Sequence, residues 1–157
     1  KSPLICAFHR TLAMGGFCSM VRADKTREGS FQMKKMMDYM GEANEIVPRI
    51  SGADAVSHYD DADAVFIDVR DANMIADSGI IKNGHHIPRG LFEFVADEDS
   101  PMFNPLFDKS KTFYLICGAG GMAALAGKTM KEMGFENVIN IGGFDEWVEA
   151  GGPVEGQ

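Results

Sequence analysis

Three apolar runs along the chain predict the strands of a parallel sheet. They are residues 64–67, Thr112–Cys117 and residues 138–141, and none alternates strictly between apolar and polar positions, which is typical of strands buried on both faces. Between the last two runs, residues 123–133 have the pattern of a helix that ends at Gly134. A strand, a helix and a strand in this order indicate a right-handed crossover with parallel pairing. The sequence therefore predicts an α/β fold with an open, mostly parallel sheet flanked by helices on both faces.

Three further helices are predicted outside this pattern. Residues 33–46 place methionines at helical spacing, and we expect this N-terminal helix to turn them toward the domain's own core. Ser51 is a suitable N-cap for a short helix that runs to Tyr59. The final helix, Phe144–Glu149, contains Trp147 as its expected core anchor and precedes a Gly-Gly-Pro stop.

The charge and cysteine content exclude several classes of protein. A formal net charge of -8 argues against nucleic acid or an anionic membrane as a partner, since both require clustered lysine and arginine. No apolar run approaches the roughly 20 residues that span a bilayer. The cysteines, Cys6, Cys18 and Cys117, form an odd and widely spaced set. The sequence therefore predicts neither a disulfide framework nor a zinc site, and we expect a cytoplasmic protein.

Residues 1–32 differ from the rest of the chain because they are basic. They contain five lysines or arginines against two acids, and Gly15-Gly16 interrupts their uncharged run, which does not indicate a signal peptide. We expect this segment to be a leader, either added for expression or poorly ordered. Residues 33–157 are expected to form a single domain, because a chain of 157 residues leaves little material for a second core.

A cysteine lies where the second predicted strand meets a glycine-rich turn. The segment is Cys117-Gly118-Ala119-Gly120-Gly121-Met122. In open parallel sheets, ligands bind at the carboxyl edge of the strands, and a glycine-rich turn that leads into a helix can direct several backbone N–H groups into one concavity. Such a concavity favours a thiolate or a persulfide anion. The alternative from the residues alone is a buried, unreactive cysteine at a strand end.

Four blocks of sequence occur in the order and at the spacing of a known family. They are DVRDAN at 68–73, GIIKNGHHIPRG at 79–90, CGAGGM at 117–122 and IGGFDEWVEAGGPVE at 141–155. Together they resemble the rhodanese homology domain over residues 50–155. In that family a cysteine takes sulfur from a donor such as thiosulfate and passes it to a nucleophilic acceptor. The resemblance implies that Cys117 is the catalytic residue and that Gly118 to Met122 bind the substrate.

The loop departs from the family pattern at Met122, where active members commonly have arginine. Without that cation a dianionic donor such as thiosulfate should bind weakly, since one charge-assisted contact contributes roughly 1.5–3 kcal/mol. A protein persulfide or a low-molecular-weight persulfide is then the more plausible donor. Arg89 and Arg70 are the two candidates to compensate by projecting toward the pocket, and we expect Arg89 to bind substrate there.

Two charged residues near the first strand are expected to support the structure. For Arg70 we expect a salt bridge that fixes the strand-to-loop turn, with Glu93 or Asp71 as the partner. Asp68, at the end of the strand, is expected to accept backbone N–H hydrogen bonds rather than to perform acid-base chemistry.

Other functions fit parts of the same segments. A dinucleotide site matches G-x-G-x-x-A at 118–123, but it needs an acid at the end of the following strand, which instead ends Asn140-Ile141-Gly142. A cysteine phosphatase needs a cation for the phosphoryl oxygens, which Met122 does not supply. A metal site at His85-His86 is not expected, because adjacent residues of an extended segment point to opposite faces. The main alternative is a non-catalytic rhodanese-like binding or regulatory module.

The resemblance thus implies a sulfurtransferase that carries sulfane sulfur as a persulfide on Cys117, and we expect loop N–H groups to stabilise the charge. The expected partners are a small sulfur donor and a thiol or cyanide acceptor, or a partner protein. Neither a metal nor an organic cofactor is expected.

Overall fold

The computed structural model describes residues 33–156. The predicted leader, with Cys6 and Cys18, lies outside the described residues. The helices are α1 (Met36–Ile46), α2 (Gly52–Ser57), α3 (Ala72–Ser78), α4 (Phe92–Val95), α5 (Gly121–Glu132) and α6 (Phe144–Glu149). The strands are β1 (Ala64–Asp68), β2 (Ile80–Ile81), β3 (His85–His86), β4 (Thr112–Cys117), β5 (Val138–Gly143) and β6 (Val154–Glu155). None of these described helices is long and apolar enough to cross a membrane.

Four strands form one parallel sheet in the order β3-β1-β4-β5. Ile67 of β1 lies opposite Leu115 of β4, and Phe113 of β4 lies opposite Val138 of β5. The strands β2 and β6 form a separate antiparallel pair. Because β4 has a partner on each side, the residues that follow its carboxyl end emerge between the ends of β1 and β5.

Helices cover both faces of the sheet, and each face has its own core. On one face, side chains of β1 and β4 pack with Phe92 of α4 and with Ala123, Ala126 and Met130 of α5. On the other face, Phe66, Tyr114 and Ile116 pack with Ala55 of α2 and with Phe144 and Trp147 of α6. Successive residues of each strand thus enter different cores, which explains why these runs show no apolar–polar alternation. The predicted fold class is confirmed.

The N-terminal helix differs from its prediction. It begins at Met36, and Met36 and Met37 are 66% and 69% exposed, so the expectation that they cover the core is wrong. Ala43 is the buried residue of α1, and the helix packs on α5 with help from an ion pair between Glu42 and Lys128. Because α1 packs on α5 rather than on the sheet, only one narrow side of the helix is buried, and the remaining sides face solvent.

The other predicted helices are confirmed in position. Ser51 caps α2 by accepting a hydrogen bond from the backbone N–H of Asp54 at 3.1 Å, although the helix ends at Ser57 rather than at Tyr59. Trp147 of α6 is fully buried, and its indole N–H donates to the carbonyl of Pro153 at 3.1 Å. This bond connects the segment around Pro153 to α6.

Candidate functional site

Cys117 is the last residue of β4, and its side chain is buried at the base of a tight loop. It is 2% exposed, while Gly118 and Ala119, which follow it, are exposed. The Sγ atom accepts a hydrogen bond from the backbone N–H of Gly120 at 3.1 Å. The loop therefore folds back over the sulfur and presents an amide to it, which is the arrangement that stabilises a sulfur anion.

The loop depends on a left-handed residue at the start of α5. Gly120 has φ +87° and occupies the N-cap of the helix. Residues with a Cβ rarely adopt this conformation, so the turn from the loop into α5 favours glycine at this position.

The loop is held from the β5 side by Asn140. This side chain is 1% exposed. Its amide donates to the carbonyl of Gly120 at 3.0 Å, and its Oδ1 accepts from the N–H of Gly142 at 2.9 Å. Next to it, a Cβ on Gly143 would stand 2.7 Å from the carbonyl oxygen of Gly118. Sequence reasoning missed Asn140, although a polar residue inside an otherwise apolar strand was an available signal.

On the β1 side, Asp68 and Arg70 form a buried ion pair. They are 1% and 3% exposed, and Arg70 Nη2 lies 2.6 Å from Asp68 Oδ2. Asp68 Oδ1 also accepts the backbone N–H of Arg70 at 3.0 Å, as predicted. The predicted salt bridge of Arg70 is present, but its partner is Asp68 rather than Glu93 or Asp71.

The remaining contacts of Arg70 fix its guanidinium in place. Nη1 donates to Ser78 Oγ at 2.7 Å and Nη2 donates to the carbonyl of Gly79 at 2.8 Å. The guanidinium also lies 4.1 Å from the ring centroid of Phe144. These contacts join the end of β1 to the end of α3, so Arg70 acts here as a structural cation.

Arg89 does not approach the loop through any contact in the described part of the chain. Its Nη1 pairs with Glu93 at 3.1 Å, and its Nη2 donates to Thr129 Oγ1 at 2.8 Å, more than two turns along α5 from the loop. Burial would raise the pKa of the Glu93 carboxyl, but a backbone hydrogen bond, Arg89 and Thr129 together hold it below its usual value. The predicted compensation by Arg89 therefore has no contact to support it.

Three methionines lie in or beside the loop that follows Cys117. Met122, where the family that the sequence resembles commonly has arginine, is half-buried and packs on the core. The Cε of Met74 in α3 lies 3.2 Å from where a Cβ of Gly118 would stand, and the Cε and Sδ of Met40 in α1 lie 3.8 Å from the same point on Gly121. These methionines make this part of the surroundings of the loop apolar and polarisable.

One cation does lie against the loop, and sequence reasoning missed it. Arg49 Nη1 lies 2.8 Å from where a Cβ of Gly120 would stand, and Nη2 lies 2.9 Å from the same point on Gly142. Its Nη2 also pairs with Glu146 Oε1 at 2.7 Å. No feature of the loop sequence indicates this residue, because it comes from the segment before α2 and reaches the loop through pairing of Arg49 with Asn140.

The geometry places the buried sulfur of Cys117 and an amide donor together at the carboxyl edge of a parallel sheet. The sequence-predicted residues of the loop, from Cys117 to Met122, are brought together, with Asp68 and Arg70 supporting the neighbouring strand. Such an arrangement can bind an anionic sulfur on Cys117 and carry out nucleophilic displacement there.

Comparison with known proteins places the chain in one family. The model of the rhodanese-like domain family matches residues 51–150. No curated protein matches the sequence.

Solved structures with the same fold include two of more than 30% identity. A protein of unknown function from Rhodopseudomonas palustris, described as a possible tyrosine phosphatase, is 35% identical with a TM-score of 0.75, over 79% of this chain and 96% of that one. The polysulfide-sulfur transferase homodimer from Wolinella succinogenes is 31% identical with a TM-score of 0.60, over 75% and 85% of the two chains. A rhodanese-related protein from Thermoplasma volcanium, 24% identical with a TM-score of 0.55 over 70% of this chain and 99% of that one, shows the fold alone. The cysteine loop follows the carboxyl end of β4, and the family model matches most of the described residues. This chain therefore belongs to the rhodanese-like domain family.

Proposed function

We propose that the protein is a sulfurtransferase that moves sulfane sulfur through a persulfide on Cys117, and that its preferred donor is a polysulfide or persulfide rather than thiosulfate. The observation that carries the proposal is the hydrogen bond from the Gly120 N–H to Cys117 Sγ at 3.1 Å. A loop that already presents an amide to the sulfur is suited to hold the negative charge of both the thiolate and the persulfide.

In the first half-reaction the Cys117 thiolate attacks the outer sulfur of the donor. A new S–S bond forms to Cys117, the S–S bond of the donor breaks, and the donor leaves as a thiolate, a shorter polysulfide or, from thiosulfate, sulfite. In the second half-reaction an acceptor thiolate or cyanide attacks the outer sulfur of the persulfide, and Cys117 leaves as the thiolate. The steps conserve charge and electrons, so they call for no cofactor.

The preference for a polysulfide or persulfide rests on the surroundings of the loop. The loop itself carries no cationic side chain, and Met74 and Met122 contribute thioether and methyl groups near it. Thiosulfate holds two negative charges on a compact group and loses more hydration free energy in such surroundings than a polysulfide, whose charge is spread along a chain of sulfur atoms, or a singly charged persulfide. The related protein from Wolinella succinogenes is a polysulfide-sulfur transferase, which agrees with this choice.

A cysteine phosphatase is the competing enzyme, because the relative from Rhodopseudomonas palustris is described as a possible tyrosine phosphatase. That chemistry requires several donors for the phosphoryl oxygens and a cation among them. At the last position of the loop this chain has Met122, which packs on the core, and the nearby guanidinium of Arg49 is paired with the carboxylate of Glu146. Sulfur transfer requires fewer hydrogen-bond donors from the loop than phosphoryl transfer does, since a single sulfur atom needs only a small concavity.

The test is the intact mass of the reduced protein after incubation with inorganic polysulfide and, separately, with thiosulfate. We expect a gain of one sulfur atom from polysulfide, little gain from thiosulfate, and loss of the added sulfur on treatment with cyanide. The variant Cys117→Ser should show no gain, whereas the matched variant Cys6→Ser/Cys18→Ser should behave as the wild type. Absence of a Cys117-dependent gain from either donor would favour the binding-module alternative.

A further inference from the structure

The loop around Cys117 lacks a cation in its own sequence, and the two arginines of the neighbouring blocks are engaged elsewhere. Arg70 is buried against Asp68, and Arg89 is held by Glu93 and Thr129. Sulfane sulfur donors such as polysulfide and thiosulfate are anions. To attract such anions to Cys117, the site therefore needs a cation from a residue other than Arg70, Arg89 and the loop residues.

Arg49 lies against the residue that binds the sulfur. Gly120 donates its N–H to Cys117 Sγ at 3.1 Å, and the space that its side chain would fill is occupied by the Arg49 guanidinium, with Nη1 2.8 Å and Cζ 3.3 Å from the Cβ position. Gly142 leaves a similar space for Nη2. The absence of side chains at both glycines thus allows a permanent positive charge to lie against Gly120, the residue whose N–H donates to Cys117 Sγ.

The charge of Arg49 is moderated by one carboxylate. Glu146 Oε1 lies 2.7 Å from Arg49 Nη2, and the two side chains are 45% and 47% exposed. Because both groups reach solvent, the guanidinium keeps donors available for an incoming anion. The carboxylate of Glu146 opposes that anion, so the two groups have opposite effects on it.

We propose that Arg49 is a specificity-determining residue of this site, which supplies from outside the loop the positive charge that attracts anionic reagents to Cys117, and that Glu146 limits this effect. The inference rests on the proposed function in that it names anionic sulfur compounds as the substrates of Cys117. It assigns the charge to a residue that lies before the region matched by the family model, residues 51–150.

The test uses two alkylating reagents that differ in charge and not in reaction. Iodoacetate and iodoacetamide each form a thioether with the Cys117 thiolate and release iodide, so the ratio of their rates reports the local charge independently of thiolate reactivity. The ratio is measured on the full chain in the Cys6→Ser/Cys18→Ser background at low ionic strength. We expect Arg49→Gln to lower the iodoacetate-to-iodoacetamide ratio by roughly threefold to tenfold, and Arg49→Lys to keep it within about twofold of the parent.

Glu146→Gln separates a role in charge from a role in structure. If Arg49 and Glu146 only hold the loop together, removing either partner should change the ratio little or in the same direction. The charge role predicts opposite directions, with Glu146→Gln raising the ratio by about threefold. An unchanged ratio in Arg49→Gln, or a fall in both variants, would overturn the inference. Since alkylation does not require sulfur transfer, the outcome is independent of the mass experiment that tests the proposed function.

Discussion

The two sides of the Cys117 loop are built in different ways. On the β1 side, Asp68 and Arg70 are almost completely buried and pair with each other, and Arg70 also donates to the carbonyl of Gly79. On the β5 side, Asn140 is buried but Arg49 and Glu146 are half exposed. The β1 side therefore fixes geometry, and the β5 side combines one fixed amide with a charge that stays accessible to solvent and to reagents.

This difference determines what each arginine contributes. A buried ion pair contributes little net stability, yet the removal of one partner leaves an uncompensated charge in the interior. An exposed pair is screened by water and is worth about 0–1 kcal/mol. Substitution of Arg70 should therefore act on folding, whereas substitution of Arg49 should act on reactivity and leave folding nearly unchanged.

The largest expected effect is that of Arg70→Ala. The substitution leaves the Asp68 carboxylate, 1% exposed, without its cation, and it removes the hydrogen bonds to Ser78 and Gly79. We expect a loss of about 3–5 kcal/mol in the free energy of unfolding, measured by urea denaturation of the full chain.

Arg49→Ala is the matched control for this experiment. Its ion pair is half exposed, so the loss should be at most about 1 kcal/mol. Equal losses in the two variants would mean that the two sides of the loop do not differ as described.

A smaller effect is expected from Gly143→Ala. Gly143 has φ -93° and ψ 153°, which alanine adopts readily, so the substitution acts only through the new methyl group. That group would stand 2.7 Å from the carbonyl oxygen of Gly118 and must displace the loop. We expect a loss of about 1–3 kcal/mol and a fall of roughly tenfold in the rate of Cys117 sulfuration.

Gly90→Ala provides the control for an added methyl group, because a Cβ at Gly90 meets no atom within 4 Å. It should retain wild-type stability within about 0.5 kcal/mol. If Gly143→Ala sulfurates as fast as Gly90→Ala, the close packing of the β5 side against the loop has no role in sulfur transfer.

The sequence was sufficient for the fold because the fold depends on local patterns. The predicted bounds of the strand Thr112–Cys117 and of the helix Phe144–Glu149 are those of the structure. The three apolar runs without alternation correspond to β1, β4 and β5 of the parallel sheet. The two-residue strands were not predicted, because so short a segment carries no periodic signal. The prediction is wrong for Met36 and Met37 of α1, which are exposed, since helical spacing shows which residues share a face and not what covers that face.

The site was predictable only where its residues are adjacent in sequence. Cys117 and the glycines after it form one segment, so the loop was identified directly. Asn140 and Arg49 reach the loop from other parts of the chain, and the pairing that brings them there is set by the register between the segment at Arg49 and β5. For Arg89 the sequence suggested a charge near the pocket, but a carboxylate four residues later and a hydroxyl on α5 hold it elsewhere.

The smallest expected effect is that of Arg89→Ala, which tests the contrast with Arg49 directly. Arg89 pairs with Glu93, which is half exposed, so the loss of stability at neutral pH should be at most about 1 kcal/mol. The pKa of Glu93 lies below its ordinary value of 4.5, so its pairing stabilises the fold above that value and is lost as the pH falls through the lowered pKa. The stability difference between Arg89→Ala and the wild type should therefore disappear in acid.

The same variant also tests the charge of the site. Because the guanidinium lies along α5 and away from the loop, we expect the iodoacetate-to-iodoacetamide ratio at Cys117 to stay within about twofold of the parent. A fall in that ratio comparable to the fall in Arg49→Gln would show that Arg89 acts on the site over a longer range than its contacts indicate, and the charge of the site would then belong to both arginines.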